Sequence, residues 1–336
     1  MPTTTAAHFA APARLHQPRA RRNSLGGSAG IGRTANTMSQ APAPVALWAA
    51  GGYELAEGAR WVAGRLAFVD ILSGRLFDMS ATEPTSPRLL ANLPVPLGAA
   101  APVRERPGDW IVAAGTGIAL LHSDGELEWL DRPEEGGSVE TRMNDAVCDP
   151  AGRFWAGSMA YDETPGAGSL YRTDHDGSVH KVIEGLTIAN GPAFSADGAT
   201  MYYADTPTGK IFRVAVDPAS GTPGEPEVFL EIPEEEGSPD GMVVDNDGFL
   251  WQALWGGHAI RKYAPDGSLA QHIAVPAAQP TSVCLTPAGD AAFVTTARLG
   301  LNNPPETSGA IVRIDLSEIG LSGGREAQEF GAIKMP

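Results

Sequence analysis

Helical periodicity is the first thing this chain lacks. No long stretch sets apolar residues at i, i+3, i+4 and i+7, which argues against helix bundles and against folds with long crossover helices. Long apolar runs are missing too. The longest, APVALWAA at 43–50, falls far short of the roughly 20 residues a membrane helix needs. Cysteine is almost absent: Cys148 and Cys284 are the two present and no CxxC occurs, so a sulfur-bound zinc site is out. Both fall inside predicted strands, where a free thiol is normally a buried apolar group. The seven histidines form no HxH or HExxH pattern, so a histidine-bound zinc is not expected. Basic residues are scarce, with 24 Lys and Arg against 40 Asp and Glu, for a net charge of −16. That balance disfavours a nucleic-acid backbone or an anionic membrane surface as partner.

The charge is unevenly spread. Residues 1–44 hold five arginines (14, 19, 21, 22 and 33) and no acidic residue, which leaves the other 292 residues near −21. The first 44 residues carry no hydrophobic pattern, so a disordered extension is expected there. Arg21-Arg22 matches the pair of a twin-arginine export signal, but Arg33 interrupts the apolar region that should follow. The same acid-poor start is also the composition of a transit peptide. The favoured expectation is a disordered tail, or a chain start at Met38, with a cytoplasmic location. Nothing in the pattern sets an oligomeric state.

Turn formers and short alternating runs are what the chain does have. Gly 40 and Pro 28 separate runs such as RLAFVDI (65–71), KIFRVAV (210–216) and AIRKYA (259–264), the period-2 pattern of half-buried strands. One phrase recurs. Asn144, Asn190, Asp240 and Thr281 each lie eight residues before a glycine, in NDAVCDPAG, NGPAFSADG, DGMVVDNDG and TSVCLTPAG. A looser copy, EGARWVAG, starts at Glu57 and reaches its glycine after seven. A second set of turns, at Gly125, Gly177, Gly221 and Gly267, is spaced by 52, 44 and 46. Two interleaved turn signals at one period define a unit of about four strands, and a period of roughly 40–50 residues points to propeller blades. The body over 45–336 has room for about six such units. One unit has no polar lead: eight before Gly108 stands Ala100.

The expected fold is therefore all-β, a six-bladed propeller. The phrase is expected to begin just before each inner strand, bringing Glu57, Asn144, Asn190, Asp240 and Thr281 to one mouth of the channel. Asn190 and Asp240 each precede a glycine, so capping of their own turns is the competing reading. Asp145, Asp149, Asp197, Asp245 and Asp247 are expected to be solvated turn residues, and Thr281 and Ser282 channel lining.

The motifs RMNDAVCDPAGRFWAGSM (142–159), TIANGPAFSADG (187–198), SPDGMVVDNDGFLW (238–251) and PTSVCL (280–285), with Glu57-Gly58 and Trp61 before them, resemble the SMP-30/gluconolactonase/luciferin-regenerating family. The similarity covers about 45–330. The resemblance implies a six-bladed propeller and metal-dependent hydrolysis of a sugar lactone. It implies Glu57, Asn190 and Asp240 as metal ligands, Asp240 also as general base, and Arg142 and Asn144 as substrate contacts. Asp162 falls where some members carry a substrate-contacting glutamate, with a shorter reach. Ala56 and Ala59 flank Glu57 where many relatives read Gly-Glu-Gly-Pro.

Those residue types suit the implied chemistry. Two carboxylates and one amide are hard oxygen donors that leave positions open for water and substrate. They suit one divalent cation, Ca²⁺, Mg²⁺ or Mn²⁺ on softness, with Zn²⁺ also accepting such oxygens. The expected partner is a small-molecule lactone. Two other functions stay open at this level: hydrolysis of other esters or organophosphates at the same site, and a regulatory propeller that binds calcium without catalysis.

Overall fold

A computed structural model describes residues 44–317 and 323–331. The arginine-bearing start of the chain, with the targeting alternatives it raises, lies outside the described residues. Six antiparallel four-stranded sheets form the structure. Five run in simple sequence order from an inner to an outer strand. Their inner strands are Ala56–Val62 (blade 1), Leu97–Pro102 (blade 2), Thr141–Cys148 (blade 3), Ala189–Phe194 (blade 4) and Ser238–Val244 (blade 5). Blade 6 starts with Pro280–Leu285 and takes its outer strand from the other end of the chain: Val45–Ala50 pairs with Ala310–Asp315. This pairing closes the ring, and the two strand edges it joins are thereby protected.

The glycine phrase marks the first hairpin of each blade. Its sixth residue is Asp149, Ser195, Asp245 or Thr286, and each caps that hairpin. Asp149 accepts from the Ala151 and Arg153 amides at 2.9 and 3.0 Å. Asp245 repeats the arrangement with Asp247 and Phe249, and the Ser195 hydroxyl accepts from Thr200 N–H at 2.9 Å. Asp149 and Asp245 also accept from the indoles of Trp155 and Trp251 at 3.1 and 3.0 Å. Both carboxylates are buried, so they are turn residues but not solvated ones. Burial is tolerated because each is ion-paired, Asp149 to Arg153 and Asp245 to Lys262.

Six apolar clusters fill the six clefts between neighbouring blades. Cys148 and Cys284 are free and buried in two of them. The segment 323–331 crosses the channel at the end of the inner strands and touches every blade. It bonds to Thr286, Asn246, Phe194, Trp61, Pro102 and Gly152 in turn.

The first residue of the phrase lies within its inner strand, not before it. A register shift begins at or spans it in five blades: between Glu57 and Arg60, Met143 and Ala146, Asn190 and Ala193, Pro239 and Met242, and Pro280 and Ser282. Such bulges re-aim side chains. In blade 2 the shift lies between Leu97 and Ala99, so the equivalent residue is Gly98 and not Ala100. A longer first hairpin moves its turn glycine by two positions. A Cβ at Gly98 would collide with the Asn144 carbonyl oxygen, so this blade gives up a side chain to let blade 3 approach.

Candidate metal and substrate site

The bulges bring Glu57, Asn144, Asn190 and Asp240 together at the end of the channel away from the 323–331 strap. All four are buried, at 3, 6, 4 and 5% exposure. The turn-capping reading of Asn190 and Asp240 does not hold, because both lie in strands; the Asn190 side chain bonds Asn144 and Thr206, and the Asp240 carboxyl, though it meets the Gly241 N–H, also bonds Glu57.

The two carboxyls come from blades 1 and 5, with blade 6 between them, and are hydrogen-bonded to each other. Burial, then the charge of Asp145, pushes Glu57 up to about 8, against the Gly58 N–H that bonds it at 2.6 Å. Burial and the charge of Glu57 push Asp240 well above the usual carboxylate range. Gln252, itself fully buried, holds the Asp240 backbone by donating to its carbonyl at 2.8 Å.

The amides are fixed by their own partners. Arg142 Nη1 donates to Asn144 Oδ1 at 2.8 Å and to the Met143 carbonyl at 2.9 Å. Asn144 Nδ2 donates to Asn190 Oδ1 and to the Ala189 carbonyl, both at 3.0 Å. Arg142 is buried, and the burial lowers its guanidinium pKa against the nearby Tyr161, Glu57 and Asp240. Tyr161, just after the second strand of blade 3, is thus beside Arg142 at the site.

A third carboxylate, expected from the sequence to be a solvated turn residue, lies instead in the inner strand of blade 3 and belongs to this buried cluster. Asp145 is 1% exposed and beside Glu57 and Asp240. Its Oδ1 accepts from Arg60 Nη2 at 3.0 Å, while its Oδ2 is buried with no partner. Burial raises its pKa and outweighs Arg60. Arg60 Nη2 also donates to the Ala146 carbonyl at 2.7 Å, tying blade 1 to blade 3 beneath the cluster. Thr281 does not reach out as a lining group; its hydroxyl bonds the Ala56 carbonyl at 2.6 Å.

Asp162 stays apart. It is exposed, and Oδ1 accepts from the amide and hydroxyl of Thr164 at 3.0 and 2.7 Å. Those bonds lower its pKa. Its neighbour Glu163 is half-buried, held at φ 57°, and burial raises its pKa.

The donor set fits a hard cation in composition. Glu57 and Asp240 need either a shared proton or a positive charge between them, and the Asn190 oxygen lies beside Asn144 in the same cluster. Among the described residues no three His, Cys, Asp or Glu side chains form a metal-binding group by themselves.

The family model for the SMP-30/gluconolactonase/LRE-like region matches residues 55–298. The chain belongs to this family. As a member of it, the protein is 35% identical over 284 residues to pentonolactonase XacC of Haloferax volcanii, covering 79% of this chain and 92% of that one. It is 34% identical over 219 residues to a 6-deoxy-6-sulfogluconolactonase of Pseudomonas putida, covering 65% and 74%. Among solved structures, regucalcin of Agrobacterium tumefaciens, a calcium-binding protein, superposes with a TM-score of 0.77 at 28% identity. That superposition covers 86% of this chain and 98% of the other.

Proposed function

We propose that the protein hydrolyses a sugar lactone with the help of one divalent cation held by Glu57, Asn190 and Asp240. The observation that carries this reading is the buried Glu57–Asp240 pair beside the Asn190 oxygen, with Arg142 and Asn144 adjoining. Two carboxyls at such burial repel when both ionise, and a cation relieves the repulsion. Two lactonases among the relatives, and a calcium-binding protein among the structures, support the same reading.

A bound cation supplies Lewis-acid polarisation of the lactone carbonyl and lowers the pKa of water. The chain's own residues do the rest. Arg142 spends Nη1 on Asn144 and Met143, which leaves Nε and Nη2 as donors for substrate oxygens. Asp240 takes a proton from the attacking water as its oxygen bonds to the carbonyl carbon. It returns that proton to the ring oxygen as the C–O bond breaks, so the product is the open hydroxy acid.

Ca²⁺, Mg²⁺ and Mn²⁺ suit the all-oxygen donors, and Zn²⁺ tolerates them. The substrate is a small molecule, and a cytoplasmic setting accords with it. No helix among the described residues is long and apolar enough to cross a membrane. The test is a pH-drop assay over a panel of lactones, aryl esters and phosphotriesters, on protein stripped by chelator and then reloaded. The expected result is lactone opening that disappears with the metal and returns with one of these cations. Lactone hydrolysis that persists at saturating chelator overturns the proposal.

A further inference from the structure

Thr206 follows the second strand of blade 4, Thr200–Asp205, and opens the short 3-10 turn Thr206–Thr208. Its Oγ1 accepts from Asn190 Nδ2 at 2.8 Å and donates to the Pro239 carbonyl at 2.8 Å. Pro239 immediately precedes Asp240 in the inner strand of blade 5. One hydroxyl therefore joins the side chain of Asn190 to the backbone beside Asp240.

The bonds form a relay with a single permitted direction. At one end Arg142 can only donate, so the Asn144 oxygen must face it. The Asn144 nitrogen then faces Asn190 and the Ala189 carbonyl. At the other end the Pro239 carbonyl can only accept, so it takes the one Thr206 proton. The Thr206 oxygen is then an acceptor, and the Asn190 nitrogen must face it. An amide's two ends look alike in shape, and its orientation follows from such a network. Here both ends of the network agree. They turn the Asn190 oxygen toward Asn144 and the nitrogen toward Thr206.

We propose that Thr206 is a positioning residue for the cation site, because its hydroxyl fixes which end of the Asn190 amide is presented. This rests on the metal-site reading above. Without the hydroxyl the Asn190 nitrogen loses its acceptor, the orientation is held from the Asn144 end alone, and a flipped amide, whose donors repel a cation, becomes less costly. The backbone of the turn is held separately, by Thr206 N–H to the Ile188 carbonyl at 3.1 Å and Gly209 N–H to the Thr206 carbonyl at 3.1 Å.

The experiment titrates Ca²⁺ and Mn²⁺ into chelator-stripped protein by calorimetry and follows the thermal midpoint of the same samples. Thr206→Val is expected to bind about 10–100-fold more weakly, the usual effect of losing a group that orients a ligand. Thr206→Ser is expected to restore affinity to within about threefold, well inside that range. Thr206→Ala replaces the valine variant if the latter does not fold. A purely structural role would move the metal-free midpoint and leave affinity unchanged; wild-type affinity in Thr206→Val or Thr206→Ala overturns the proposal alone. Wild-type protein that binds none of these cations, nor Zn²⁺, overturns both the proposal and the metal-site reading.

Discussion

Glu57 on the inner strand of blade 1 and Asp240 on that of blade 5 share one proton between buried carboxyls. The metal-free folded protein keeps protons there that the unfolded chain releases. Glu57 has an ordinary value of 4.5 and stands at about 8 when folded; Asp240 moves in the same direction. Between those values the folded state binds more protons, so stability falls as pH rises. The thermal midpoint of stripped protein is expected to drop from pH 5 to about pH 8.5, past the raised value. Saturating Ca²⁺ or Mn²⁺ should flatten that drop, because a cation replaces the proton. A stripped protein whose midpoint is level or rising across the window contradicts the shared-proton picture.

Asp240→Asn removes one charge of the pair and the proposed base together. Hydrolysis is expected to fall by at least about 100-fold, within the range for a lost general base. The same change removes carboxylate repulsion, so stripped Asp240→Asn should melt higher than stripped wild type at pH 8. Activity near wild type would take Asp240 out of the base role. A lower midpoint would mean that the two carboxyls are not in conflict.

Much of this was legible from spacing, and the exceptions have physical causes. The four-strand period and the equal phase of Asn144, Asn190 and Asp240 follow from turn glycines, which are local. Ring closure by Val45–Ala50 is not local, since its partner strand lies near the other end of the chain. Asp145 escapes a strand pattern because neighbours in a regular strand face opposite ways. The bulge between Met143 and Ala146 suspends that alternation, so Asn144 and Asp145 both join the cluster. Gly98 escapes because its hairpin is longer than the others. Thr206 escapes because nothing in YADT marks a hydroxyl that bonds across two blades.

Arg60→Met leaves the Asp145 charge buried and unpaired. Breaking one side of a buried pair costs about 3–5 kcal/mol, and Asp145 has 1% side-chain exposure against 11% for Arg60. Denaturant unfolding of stripped protein should show a loss of that size. Adding Asp145→Asn to Arg60→Met should recover part of it, because the two side chains interact directly. Additive losses in the double variant would show that the pair is not coupled.

Arg142 and Asp162 separate buried from exposed candidates for substrate contact. Arg142→Lys keeps the charge but replaces the planar fork with a single ammonium, and the lysine cannot serve Asn144 and a substrate from the same geometry. Its kcat/KM on the best lactone is expected to fall about 10–100-fold, a loss of roughly 1.4–2.7 kcal/mol of transition-state binding. Asp162→Ala removes an exposed carboxylate whose accepting oxygen is already bonded to Thr164. It should leave kcat/KM within about twofold, as for a surface change away from the site. Glu163→Gln is the informative companion, since burial already raises the pKa of that half-buried carboxyl. If Asp162→Ala proves as damaging as Arg142→Lys, the loop must close over substrate and bring Asp162 inward. If Arg142→Lys is silent, Arg142 serves only to orient Asn144.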